Sequence, residues 1–219
     1  MSARADGYTL ALEASTYAGS VALLRGAEVA CARSVEMRGR EEERLMPAVA
    51  ECVAELPAGI GGLARVVCGA GPGSFTSLRI AASIAKGICH ARGLPLYAVS
   101  SLALVVAASP AADKGGRYVI SLEAMRDEAF MATFDIGEDG SIPASAPVTI
   151  VGRVAVPEAA RAAGAVLLDG SPHAAGVARM LDSIIRAGAV DAGAWEPDYG
   201  RAAEAQVKWE AMHGRPLPR

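Results

Sequence analysis

Gly69-Ala70-Gly71-Pro72-Gly73-Ser74-Phe75-Thr76-Ser77-Leu78-Arg79 joins two regular patterns. Before it, residues 65–69 carry Val66, Val67 and Cys68, the short apolar run of a buried strand. After it, residues 74–92 read as a helix, with Ser74 as N-cap, Gly93 as C-terminal cap and Pro95 forbidding continuation. Glycines let the backbone turn tightly and approach a partner closely. The amides of the helix's first turn could hold an anion, which makes Gly71, Gly73 and Ser74 candidate phosphate-binding residues. A tight turn with a capped helix explains the same residues without a ligand. The stretch is neither a Walker loop, lacking Gly-Lys-Ser/Thr, nor a dinucleotide fingerprint.

The helix behind the loop has two apolar sides. Leu78, Ala82, Ala85 and Cys89 form one, and Ile80, Ile84, Ile88 and Ala91 the other. One side needs a sheet. The second needs another helix of this chain or another protein, and small residues allow a close approach.

Further out the chain alternates β and α. Upstream, residues 8–14, 20–25 and 28–36 read as three strands joined by tight turns, an antiparallel meander. Residues 40–56 read as a helix with Leu45, Met46, Val49, Cys52, Val53 and Leu56 on one stripe and Glu41, Glu42 and Glu43 in its first turns. Pro47 requires that helix to start just before it, or to bend there. Downstream of the loop helix, residues 95–99 are a strand and 100–108 a helix. The second half repeats the pattern in shortened form: strands at 117–123, 128–136, 147–151 and 165–169, helices at 154–163 and 171–188. This predicts an α/β fold of two related lobes with mixed sheets, the second reduced, divided into residues 1–109 and 110–219. The tail carries Trp195, Tyr199 and Trp209, aromatics suited to pinning it back on the body.

Composition narrows the function. The 219 residues are 52% hydrophobic, much of that alanine, and 5% aromatic. The net charge of −3 gives no global drive toward nucleic acid. Arg33, Arg38, Arg40 and Arg44 are the nearest thing to a basic stripe, and adjacent glutamates offset it. No run is long and apolar enough for a membrane helix, and no signal peptide is read. Cys31, Cys52, Cys68 and Cys89 form no C-x-x-C pair, so reduced thiols in a cytoplasmic protein are expected. His90, His173 and His213 have no metal-ligand spacing, so no metal site is expected. Glu13 and Glu123 end the first strand of each half. They either face one cleft and hold a cation–phosphate pair or are independent turn acids.

Gly71 to Ile80, then Ala85-Lys86-Gly87 and Val99-Ser100-Ser101-Leu102, closely resemble the TsaB (YeaZ) family. Leu12-Glu13-Ala14-Ser15-Thr16, Arg44-Leu45-Met46-Pro47 and Pro197-Asp198-Tyr199-Gly200-Arg201 agree with it. The resemblance implies the actin-like ATPase fold shared with sugar kinases and Hsp70, an RNase H-like architecture. It implies an accessory subunit, without catalytic residues of its own, that binds and activates TsaD. That enzyme forms threonylcarbamoyladenosine beside the tRNA anticodon. TsaE joins the complex, and tRNA is contacted only through it. The implied contact is the N-terminal lobe, with Arg44, Leu45, Met46, Val49, Phe75, Leu78, Arg79 and Ala82 as candidate partner-binding residues. A homodimer through the same surface is expected in isolation. No cofactor of its own is implied; ATP or ADP with magnesium would sit at the partner interface. A glycoprotease-like peptidase or a weak ATPase of the same fold is the alternative. The sequence departs from the family at Glu13, where Asp is usual, at Glu41 (His), at Ser77 and Ala81 (Gly), and at Glu123-Ala124-Met125 (Asp-Ala-Arg). These changes fall where the fold would hold phosphates and imply weak or no ATP hydrolysis.

Overall fold

The computed structural model describes residues 7–37, 43–201 and 212–214. Tyr8–Glu13 (β1), Ala18–Arg25 (β2) and Glu28–Glu36 (β3) form the meander, with Leu10 opposite Leu23 and Leu12 opposite Val21. Almost all of β1 is buried because it is the central strand, whereas β3 exposes most of its residues at the sheet edge. Leu45–Ala54 (α1) leads to Leu63–Gly69 (β4), which lies parallel to β1. Phe75–Arg92 (α2) returns to Leu96–Val99 (β5), parallel to β4, and Ser101–Ala108 (α3) follows. The sheet order is β3-β2-β1-β4-β5.

The second lobe repeats this order. Gly116–Glu123 (β6), Glu128–Ile136 (β7) and Val148–Gly152 (β8) form a second meander. Val156–Ala162 (α4) leads to Val166–Leu168 (β9), parallel to β6, and Val177–Ala187 (α5) follows. The order β8-β7-β6-β9 matches the first sheet without its fifth strand. After α5, the Val190 N–H instead donates to Leu96 O at 2.8 Å, on the edge of the first sheet. The two-lobed duplication with a reduced second half is therefore present.

α3 joins the lobes. Leu102 to Ala107 are all buried, in one core with Ala11, Ala22 and Leu24 of the first sheet and Ile120 and Phe134 of the second. Each buried leucine or valine there contributes roughly 1.5–3 kcal/mol relative to exposure. Arg179 of α5 pins the connection after α3. Its guanidinium donates to the carbonyls of Ala107, Ser109 and Ala112, each at 3.1 Å, and pairs with Asp113 at 2.9 Å. A separate core lies between the first sheet and the pair α1–α2, built on Leu10, Leu12, Leu45, Val49, Ala81 and Ala85.

Two expectations are corrected. Helix α1 begins at Leu45, just before Pro47 as expected, and the correction there is that Glu43 lies outside the first turn and accepts hydrogen bonds from the Leu45 and Met46 N–H groups. Pro47 thus falls in the first turn, where no intrahelical bond is lost. Glu41 and Glu42, like Arg38, Arg40 and Trp209, lie outside the described residues. The cysteines are not all reduced: Cys31 on β3 and Cys52 on α1 form a disulfide, with Cα atoms 5.8 Å apart. Both side chains point into the core beneath α1, a proximity that no local spacing encodes. Cys68 and Cys89 are free and buried, and burial pushes both thiols up, Cys89 to about 11.

Candidate functional site

The glycine loop is built into the chain on every side. The Ala70 N–H donates to Val99 O at 2.7 Å and the Gly71 N–H to Ser101 Oγ at 3.2 Å. The Ser74 N–H donates to Ser15 O at 2.7 Å. The Asp198 N–H closes the ring on Ala70 O at 2.8 Å. Gly71, at φ +86°, lies against the Asp198 carbonyl, and Gly73 against the Ser15 carbonyl; a Cβ at either would collide with backbone. The peptide bond before Pro72 is cis. The loop brings Gly71, Gly73 and Ser74 together as expected. Three of its amides point to acceptors of the chain itself rather than outward. Ser74 caps α2 as predicted, its Oγ accepting from the Ser77 N–H at 3.5 Å and lying 3.0 Å from Ser77 Oγ.

Glu13 supports this loop from below. It is fully buried at the end of β1, not open to a cleft. Its Oε1 accepts from the Ser15 N–H at 2.5 Å and its Oε2 from the Ser101 hydroxyl at 2.8 Å. Both partners also hold the loop, Ser15 at Ser74 and Ser101 at Gly71. Gly69 faces the carboxylate with no room for a Cβ. Burial raises the Glu13 pKa, and the hydrogen bonds from Ser15 and Ser101 oppose that rise. Glu123 occupies the matching end of β6, yet it is exposed and 3.7 Å from Arg153. The two acids hold equivalent places in the duplication without sharing a cleft. The hydroxyls of Ser15 and Ser100 are buried without a partner among the described residues.

Above the loop, α1 and α2 present the first lobe's outer face. The structure splits the candidate partner-binding residues into two groups. Leu45, Val49, Leu78 and Ala82 are buried in the chain itself, which corrects their placement on an open face; Leu45 and Val49 pack in the core between the helices and the first sheet. Arg44, Met46, Phe75 and Arg79 are exposed, Met46 by 44% and Phe75 by 40%. Ile80 and Ile84 are half-buried between the two groups. Glu43, Phe75, Arg79, Ile80, Ser83 and Ile84 line an open groove of about 500 Å³.

Residues 195–201 border that face, a feature only partly expected. The Tyr199 ring lies 4.6 Å from the Phe75 ring, and the Arg79 guanidinium 5.2 Å from the same ring. Lys86 pairs with Glu196 at 3.0 Å and sits 6.0 Å from the Trp195 ring. The Tyr199 hydroxyl donates to Glu196 Oε2 at 3.2 Å. The strap then reaches the second lobe, where Gly200 lies against Phe130 and Arg201 pairs with Glu128. Trp195 and Tyr199 thus pin the segment as predicted, and Tyr199 also buttresses the exposed Phe75 of α2.

Among the described residues, no three His, Cys, Asp or Glu side chains gather where they could hold a metal ion. No helix there is long and apolar enough to cross a membrane.

A family model described as "TsaD: tRNA N6-adenosine threonylcarbamoyltransferase" matches residues 38–161. The chain is 31% identical over 123 residues to the tRNA threonylcarbamoyladenosine biosynthesis protein TsaB of Haemophilus influenzae, covering 56% of this chain and 52% of that protein. It is 29% identical over 132 residues to the protein of the same name from Escherichia coli, covering 60% and 56%. The chain thus spans about half the length of the curated relatives it matches. The solved structure of YeaZ from Pseudomonas aeruginosa superposes with a TM-score of 0.72 at 25% identity, over 88% of this chain and 99% of that one.

Proposed function

Because the chain belongs to the family whose model describes the TsaD threonylcarbamoyltransferase, and within it to the TsaB (YeaZ) branch, we propose that it is a non-catalytic subunit that binds and activates a TsaD partner. Its role is the formation of N6-threonylcarbamoyladenosine next to the tRNA anticodon, with tRNA engaged through the assembled complex and TsaE joining it. The observation that carries the reading is the exposed face of α1 and α2. Met46 and Phe75 stand out of an otherwise buried pair of stripes, with Arg44 and Arg79 at the rim. Apolar side chains at a helix pair, edged by arginine, are the composition of an interface core and its border.

The loop beneath supports a scaffold rather than a nucleotide site. Its Ala70, Gly71 and Ser74 amides already have acceptors, and the acid below it is buried behind Ser101. A phosphate bound by those three amides would have to displace the acceptors they already have. We therefore place any ATP or ADP with magnesium at the interface with the partner. The peptidase and weak-ATPase readings draw on no arrangement of side chains described above.

The test is reconstitution. Purified TsaD from the same organism, its companion proteins, tRNA, threonine, bicarbonate and ATP are assayed for the modified nucleoside with and without this chain. Modification that depends on the chain, together with a co-purifying complex, is expected. Equal modification without it would refute the reading.

A further inference from the structure

We propose that the Cys31–Cys52 bond is a reversible thiol–disulfide switch that fastens helix α1 to the edge strand β3 and is opened and closed by exchange with small thiols. This rests on the reading above, which puts the chain beside tRNA among reducing thiols, where a disulfide is characteristically transient or redox-sensing rather than structural. Little else holds that end of α1. The helix is ten residues long, too short to persist on its own. Its buried residues are Leu45, Ala48, Val49 and Cys52, so beyond Val49 the helix is anchored by Cys52. Beside the bond, Arg33 of β3 pairs with Glu51 at 3.4 Å and with the C-cap Glu55 at 2.7 Å, but exposed pairs of this kind hold weakly.

The exchange is confined to this pair. Cys68 on β4 and Cys89 on α2 are buried thiols, and burial pushes both up, so neither offers a thiolate to scramble the bond. Opening consumes two equivalents of a small thiol. The first thiolate attacks the Cys31 sulfur, because Cys31 on the edge strand keeps 5% of its surface exposed and Cys52 keeps none. The Cys31–Cys52 bond breaks as a mixed disulfide forms on Cys31, and Cys52 leaves as a thiolate and takes a proton. A second thiolate attacks the small-thiol sulfur of that mixed disulfide. It releases Cys31, which takes the second proton, and departs as the small-molecule disulfide. Two electrons and two protons thus pass from the small thiols to the chain. With both sulfurs enclosed, attack requires α1 to lift. A partner lying on α1 opposes that movement, so docking and the closed bond favour each other, and linkage makes the two effects equal.

The test uses the full chain in buffers of graded reduced-to-oxidised glutathione ratio. Thiol trapping with mass spectrometry reads the bond, and hydrogen exchange reads α1. The bond should open and close reversibly, with glutathione caught on Cys31 at intermediate ratios. In the reduced chain the amides of Leu45–Ala54 should exchange about tenfold faster or more, while those of Gly116–Glu123 and Glu128–Ile136 stay protected. The double variant Cys31→Ala with Cys52→Ala should match the reduced chain in every buffer, and Cys68→Ala the native one. By titration calorimetry the reduced chain should bind purified TsaD about tenfold more weakly. Saturating TsaD should then make the bond harder to reduce by about 30 mV, the same tenfold for a two-electron couple. A bond that never forms, or that excess reduced glutathione leaves closed at equilibrium, would overturn the proposal. So would exchange over α1 that is equal in the two states, or that quickens only together with the second lobe. If neither form binds TsaD, the proposed function fails, and the exchange measurement still decides the switch.

Discussion

Removing the Phe75 ring should weaken docking without unfolding the chain. Phe75 is 40% exposed, the rest of its surface lying against Tyr199 and the first turn of α2. A phenylalanine side chain offers about 200 Å² for burial, so about 80 Å² remains for a partner to cover. At about 25 cal/mol per Å² that is about 2 kcal/mol, or a Kd roughly 30-fold weaker for Phe75→Ala. Within the chain the variant loses about 120 Å² of packing already buried, about 3 kcal/mol, and the Tyr199 ring contact, about 1 kcal/mol, which together lower Tm by roughly 8–16 °C in a chain of this size. The assay is calorimetric titration with TsaD at a temperature where circular dichroism shows both proteins folded. A Kd within threefold of native, in a folded variant, would refute the assignment of this face.

Other outcomes follow from buried groups. Glu13 has a raised folded pKa, so the folded state keeps a proton that the unfolded chain releases. This group therefore favours folding most below the ordinary carboxylate range and progressively less as pH rises through its folded pKa. Relative to native, Glu13→Gln should gain stability with pH by about 1.4 kcal/mol per unit over that window; parallel Tm–pH curves would contradict the assignment. Cys52→Ser opens a link between residues 21 apart, worth about 3 kcal/mol by loop closure, so it should lower the denaturant midpoint under non-reducing conditions and much less in dithiothreitol. An equal loss in both buffers would show that no disulfide forms. Ala82→Glu puts a charge into the chain's own core and should cost about 3 kcal/mol or more. A well-folded variant that merely fails to dock would restore Ala82 to the surface.

Most of the fold was legible because each element carries a local signal. β3 and β7 fall at the residues their alternation predicts, and α2 begins and ends at its Ser74 and Gly93 caps. The start of α1 was legible from Pro47, which fits only a first turn, whereas Glu43 reads as a first-turn residue and instead caps the helix from outside. The site was less legible. Periodicity places Leu45, Val49, Leu78 and Ala82 on stripes, but it does not say whether a stripe meets the chain's own sheet or a foreign helix. Glu13 reads as a turn acid until Ser101, 88 residues away, is folded onto it. The Cys31–Cys52 bond and the Tyr199–Phe75 contact likewise join segments that only the topology brings together. The reduction of the second lobe was visible as missing elements, and the return of Val190 to β5 shows where that chain goes instead.

Hydrogen–deuterium exchange of this chain, alone and with TsaD, tests the account most directly. Slowed exchange confined to peptides spanning Leu45–Ala54 and Phe75–Arg92, with the strap at 195–201 protected to a lesser degree, is the predicted result. Protection centred on the second lobe, or none at a concentration where the reconstituted reaction depends on the chain, would contradict it.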